Sequence, residues 1–365
     1  MTEVATIGGL TLCGQEPPKR WNSRGSPTAA SGKLSAAVDL QQATLFAAPL
    51  AISLVFIVLI AGPLAWRGIV LDGRGGITLV ISMTVGVIAL ALAARMRVGS
   101  TPILVMVEGF ALLSLNSLLG AIACATVALG SEPYIDPALA ALDRLILPGL
   151  DWPNVMRALP HHPWMLAALT TVYTSLTWQP VLFFLASLRL GSVSETVRYV
   201  CSSSMALLLC VLPFHWLPAQ GAYTYFGIRM AELPGFRVPL AWQFPEKLAV
   251  LRHGVSAVDY SLLSGLITFP SYHAASAVVM ARAFWKMRFL RLPMLGLNIA
   301  MFVAAVPMGG HYFVDVLAGA AVAASAIVLS EVIVNRSERI FLYRPKLLGA
   351  GRDVRVSRSS PLRHA

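Results

Sequence analysis

The sequence predicts an all-α integral membrane protein of about eight transmembrane helices. Three observations predict it. Of its 365 residues 57% are hydrophobic and only 12% are charged, about half the charged fraction of an ordinary soluble domain. Mean hydropathy is +0.71. The apolar residues also fall into runs long enough to cross a bilayer, which takes about 20 residues in a helix.

Taken in order, the runs cover 43–65, 77–95, 102–129, 164–188, 198–217, 270–289, 291–308 and 311–334. Each is apolar on nearly every side, as a helix surrounded by lipid and other helices must be. Residues 1–42 hold Pro, Ser, Gly, Lys and Arg with little periodicity and read as a flexible cytoplasmic tail. The first apolar run starts far from Met1 and is long, so the tail is expected to stay attached rather than leave with a signal peptide. Residues 43–97 then read as two additional spans, 100–335 as a six-helix core and 336–365 as a basic tail. Glu108 and Asn116 in the third run are costly against lipid and are expected to face the bundle interior. Gln179-Pro180 marks a kink in the fourth. Pro137 to Leu147 has the spacing of a helix lying at the membrane interface, where it is expected to guide a lipid tail sideways. Cys13, Cys124, Cys201 and Cys210 have neither metal-ligand nor disulfide-framework spacing.

Lys and Arg collect on the cytoplasmic side of short loops. With the N-terminus inside, Lys19, Arg20, Arg24, Lys33, Arg95, Arg97, Arg189, Arg198, Arg282, Lys286, Arg288, Arg291 and the eight basic residues after 335 lie inside, 20 of the 28. Both termini are therefore expected in the cytoplasm, with an inner bacterial membrane as the expected location. The net charge of +11 then serves to orient the chain and contact anionic lipid, and nucleic-acid binding is the weaker explanation.

This topology puts two polar clusters on the same, outer face. Phe269-Pro270-Ser271-Tyr272-His273 opens the sixth run and Gly309-Gly310-His311-Tyr312-Phe313-Val314-Asp315 the eighth, with the two histidines His273 and His311 38 positions apart. Ionisable residues at membrane depth mark function. On a helix His311 and Asp315 would share a face, letting the carboxylate orient the imidazole and raise its basicity. That arrangement suits a nucleophile, with His273 placed to protonate a leaving oxygen. Pro270 fits a first helical turn, whose free N–H groups, with the Ser271 hydroxyl, suit an anion such as phosphate.

These residues resemble the second and third motifs of the type 2 phosphatidic acid phosphatase superfamily, the lipid phosphate phosphatases. The nearer likeness is to the branch containing inositol phosphorylceramide synthases, over Phe269 to His273 and His311 to Gly319. The resemblance spans about 100–335 and implies a six-helix core. It also implies a phosphohistidine formed on His311, Asp315 as its support, His273 as proton donor and no metal or other cofactor. The implied partners are a lipid phosphate or phospholipid, surrounding membrane lipids and an alcohol acceptor such as inositol. The superfamily's Lys-x6-Arg-Pro motif is absent, and its arginine six residues before the nucleophile is Ala305 here. A transferring phosphoryl group still needs positive charge. Arg252, in a stretch that resembles the branch's Leu-Arg-x-Gly segment, is the expected phosphate clamp, with Lys247 second. Water as acceptor gives a phosphatase and an alcohol gives a transferase. Readings from other classes are a proton-coupled transporter using His273, His311 and Asp315 as a relay, and a non-catalytic scaffold.

Overall fold

The structure, a computed structural model, describes residues 46–349 except 73–76, 99–100, 191–192, 239 and 264; the expected tail at 1–42 lies outside the described residues. Helix α1 (Ala47–Arg67) leads through a two-residue strand β1 (Val70–Leu71) to α2 (Ile77–Val98) and α3 (Pro102–Ala128). A shorter α4 (Asp136–Ile146) and α5 (Trp152–Ala158) precede α6 (Pro163–Thr174) and α7 (Gln179–Leu190). Then come α8 (Val193–Val211), the short α9 (Ala222–Tyr225), α10 (Leu240–His253) and β2 (Ala257–Val258), which pairs in parallel with β1. The chain closes with α11 (Tyr272–Phe284), α12 (Arg291–Gly309) and α13 (Phe313–Gly349).

Among the described residues, five helices are long and apolar enough to cross a membrane: α1, α3, α8 with its 3-10 extension to His215, α12, and α13 as far as Arg336. The other three expected spans are met differently. Helix α2 runs unbroken for 22 residues, with a shorter apolar stretch at Ile81–Ala91, and α11 has 13 residues. The fourth is broken, because α6 ends in a 3-10 turn at Ser175–Thr177 before α7 begins. Proline fits best in the first turn of a helix, and Pro180 takes that place in α7, so the expected kink is a full break just ahead of it. Helix α13 continues to Gly349 and takes in residues that the sequence reads as tail.

Helices α3, α8, α11 and α13 form the centre, with α1 and α2 against α3, and α12 and α6 on the other flank. Glu108 and Asn116 do face the interior, at 1% and 0% exposure. Asn116 of α3 binds α1 and α8 at once. Its Nδ2 donates to Ser204 Oγ at 3.0 Å and to Pro49 O at 3.2 Å, and its Oδ1 accepts from Ser53 Oγ at 2.8 Å. Between helices in lipid there is little hydrophobic drive, so buried hydrogen bonds and close packing carry the association. A second polar knot closes the end of the bundle away from the two motifs. Arg282 on α11 reaches Glu331 on α13 at 2.6 Å and Glu195 on α8 at 3.4 Å, and Arg198 reaches Glu195 at 2.9 Å.

Replacing Asn116 by Ala removes its bonds to Ser204 Oγ, Ser53 Oγ and Pro49 O and leaves only the Ser53–Pro49 bond within α1 in place. The expected cost is about 1–2 kcal/mol, read as a lowered thermal midpoint of the purified protein in detergent. An unchanged midpoint would show that this knot does not hold α1 to the core.

Candidate active site

The two motifs meet. Ser271 caps α11: its φ of −69° and ψ of 113° are extended, and its Oγ accepts from Ala274 N at 3.3 Å. Its own N–H donates to Asp315 O in the first turn of α13 at 3.0 Å, so the starts of the two helices are joined backbone to backbone. This approach needs Gly319, one turn further along α13, where any Cβ would run into Ser271 O.

His311 sits just before α13, in the turn after α12, where Gly310 adopts a left-handed φ of 65°. The expected i,i+4 pairing therefore holds as a contact, although the two side chains do not share a helix face. Asp315 instead folds back as a cap: its Oδ2 accepts from Tyr312 N at 3.0 Å and faces His311 Nδ1 at 3.3 Å. With the carboxylate ionised, Nδ1 carries the proton and Nε2 keeps a lone pair. Nε2 lies 3.1 Å from Ser271 Oγ, which donates to it in this tautomer. His311 is 4% exposed and Asp315 fully buried.

His273 lies in the first turn of α11 and lines the same cavity as His311. Tyr173 of α6 stacks on it, with ring centroids 4.1 Å apart and planes 10° apart. The Tyr173 hydroxyl is also 3.3 Å from His273 Nδ1. In so parallel a stack the hydroxyl stands over the ring and off the in-plane lone pair, so stacking is the interaction that counts. The cavity holds about 210 Å³ and runs from the two histidines along Ser117, Gly120, Ala121 and Cys124 of α3 to Leu207. Most of its wall is apolar.

The structure does not bring the two expected phosphate cations into this cavity. The Arg252 guanidinium donates to Ser131 O at 3.3 Å and Glu132 O at 3.0 Å and lies 4.0 Å from the Tyr134 ring centroid. It is held by carbonyls at the end of α3 instead of by the histidine motifs. Lys247 lies on α10 near Asp259 and does not line the cavity either. Both stand in a segment close in sequence to the serine motif but turned away from it, a matter of helix rotation that spacing does not reveal. Conversely, three site neighbours had little signal in the sequence: Asp136 and Asp143 of α4, and Tyr312. Tyr312 Oη donates to Asp136 Oδ1 at 2.9 Å, and Phe313 N and Val314 N donate to Asp143 Oδ2 and Oδ1 at 2.8 Å each. Burial pushes both aspartates above the usual carboxylate range, and the backbone N–H donors pull against it. Among the described residues no group of His, Cys, Asp and Glu could hold a metal ion.

Gly309 packs against the His311 ring, and a Cβ there would stand 2.9 Å from Nε2. Gly309→Ala is expected to displace the imidazole and lower turnover by about 10²-fold, the usual penalty for an ångström of misplacement. Assay of the purified variant against a lipid phosphate checks this, and wild-type turnover would show that His311 tolerates the shift.

Among known proteins, a family model described as the PAP2 superfamily matches residues 137–329, just over half of the chain. No curated protein and no solved structure gave a match. The match takes in both histidine motifs and the helices that carry them, and it agrees with the predominantly helical, membrane-spanning architecture. The chain belongs to the PAP2 superfamily.

Proposed function

We propose that this chain is a membrane-embedded phosphatase or phosphotransferase that acts on a lipid-borne phosphate through a phosphohistidine on His311. One observation carries the reading: two histidines from distant motifs line one cavity, and the Nδ1 of one is held by a buried carboxylate. In the first step the Nε2 lone pair of His311 attacks phosphorus as the bond from phosphorus to the lipid oxygen breaks. His273, arriving protonated, gives its proton to that oxygen. Asp315 offsets the positive charge left on the His311 ring through Nδ1–H. In the second step the now neutral His273 takes a proton from water or an alcohol, whose oxygen attacks phosphorus and releases His311.

Ser271 Oγ covers Nε2 in this structure, so the hydroxyl must turn from the ring to a phosphate oxygen when substrate arrives. The first-turn N–H groups of α11 lie beside it and have no partner inside their own helix, which makes them natural donors to the other oxygens. The apolar cavity wall supports a substrate whose alcohol is a lipid. Inositol as acceptor remains part of the proposal through the motif resemblance, as do an outward-facing site and cytoplasmic termini through the distribution of Lys and Arg. The domain division drawn from the sequence is likewise proposed, with 100–335 as catalytic core.

Two measurements test the reading. His311→Ala is expected to lose at least about 10³-fold in phosphate release from every lipid phosphate tried. It should also lose the acid-labile labelled enzyme formed from labelled substrate. His273→Ala is expected to fall by about 10²–10⁴-fold while still forming the labelled enzyme. Turnover retained by His311→Ala would refute the nucleophile, and product analysis with and without myo-inositol separates transfer from hydrolysis. Arg252→Ala should lower thermal stability and keep most of the turnover, because its guanidinium serves the 131–132 carbonyls. A kcat loss of about tenfold or more, about 1.4 kcal/mol of barrier, would return Arg252 to the phosphate.

A further inference from the structure

Helix α4 is not a span. It is 11 residues long, follows α3 after a short turn, and carries Asp136 and Asp143 seven positions apart. Seven steps of about 100° fall about 20° short of two full turns, so both carboxylates lie on one face. That face meets the chain between His311 and Asp315, and each acid takes a different part of it.

Asp143 accepts Phe313 N on Oδ2 and Val314 N on Oδ1, each at 2.8 Å. This two-pronged cap fills two of the free N–H groups that open a 37-residue helix. Together with Asp315 Oδ2 on Tyr312 N, it accounts for three consecutive N–H groups following His311. Asp136 is fully buried. Its Oδ1 accepts from Tyr312 Oη at 2.9 Å and from Gly221 N at 3.0 Å, and its Oδ2 accepts from Gln220 N at 2.9 Å. The segment it holds is bonded in turn to the nucleophile turn, since Ala222 N donates to Gly310 O at 2.8 Å and Tyr223 Oη to Pro307 O at 2.6 Å.

His311 therefore has α4-anchored bonds on both of its flanks, at 310 through the 220–222 segment and at 312–314 directly. The angle between the imidazole and Asp315 depends on the backbone of just these residues. A surface helix needs no such pair of desolvated acids to stay folded. Removing their charge from water is costly and is offset only by the donors they hold.

The geometry points to Asp143, with Asp136 behind it, as positioning residues that set the His311–Asp315 alignment from the interfacial helix. This rests on the phosphohistidine reading for its consequence in catalysis but not for its structural content. Asp143 touches no reacting atom, so its loss acts on kcat through His311 and leaves the lipid cavity untouched.

The test uses the full chain in detergent. Asp143→Ala is expected to lower kcat by about tenfold or more with KM close to wild type, and the near-isosteric Asp143→Asn, which keeps one acceptor, should fall between. Asp151→Ala, which removes an exposed cap of the neighbouring α5, should behave as wild type. If Asp143→Ala does not accumulate as folded protein, Asp143→Asn carries the comparison. In parallel, ¹⁵N-histidine NMR reads the His311 ring, assigned by its disappearance in His311→Ala. Its Nδ1 and Nε2 shifts should change in both Asp143 variants and stay put in Asp151→Ala. Unaltered His311 signals in the Asp143 variants overturn the inference even if no lipid phosphate is ever turned over. Altered signals with no phosphate release by wild type would overturn the phosphohistidine reading and leave the positioning role standing. Wild-type kcat in a phosphate-releasing Asp143→Ala overturns the catalytic part.

Discussion

The bond from Ser271 N to Asp315 O, 3.0 Å long, is the constraint on which the rest of the site depends. It joins the middle residue of one motif to the last of the other, and it forms only because Gly319 lets α13 lie against the cap of α11. Once the two helix starts are pinned, the Ser271 hydroxyl falls within 3.1 Å of His311 Nε2. The imidazole is then held from both ring nitrogens, by Ser271 on one side and Asp315 on the other. His273, in the first turn of α11, is delivered to the same cavity without any direct bond to His311 being required. At the far end of α11 Arg282 bridges to Glu331, midway along α13. Helix α11 is thus tied to α13 at both of its ends, and the site inherits its rigidity from that pair.

The readable part of this arrangement was local. Apolar runs announce helices wherever the run alone decides, as in α1, α3, α8, α12 and α13. A His and an Asp four apart announce a pair whether or not a helix lies between them, so the contact is legible in the sequence and its geometry is not. What escaped the sequence depends on rotation and approach. Arg252 is in the right neighbourhood by chain position, but α10 turns it to the carbonyls of 131 and 132. Asp136 and Asp143 look like ordinary polar residues of an amphipathic segment until α13 arrives to supply donors for them.

The electrostatics of the site call for an explanation, since three carboxylates surround a place proposed to receive a phosphate. Five of their six oxygens face an N–H or O–H donor or, for Asp315 Oδ2, the His311 ring as well. Their charge is therefore largely spent on the backbone of 220–221 and 312–314. The donors at 312–314 belong to the start of α13, so that helix end is already neutralised and offers nothing to an anion. The start of α11 is different, being capped by a neutral serine. Of two neighbouring helix N-termini, one is satisfied by acids and one keeps its positive potential.

Positive charge beyond the α11 dipole then has to come from a group that faces the cavity, and with Arg252 and Lys247 turned elsewhere His273 is the one the proposed reaction supplies. Its acid role already requires it to arrive as an imidazolium. Tyr173 lies flat against it, centroids 4.1 Å apart, and the negative face of an aromatic ring attracts a cation more strongly than a neutral ring. Because α6 breaks immediately after this turn, Tyr173 sits at the end of a short, separately anchored helix and not in the middle of a continuous span. The break lets the ring meet His273 in parallel. In the proposed reaction, then, the interrupted helix and the stacked tyrosine serve to hold a positive His273 at the cavity.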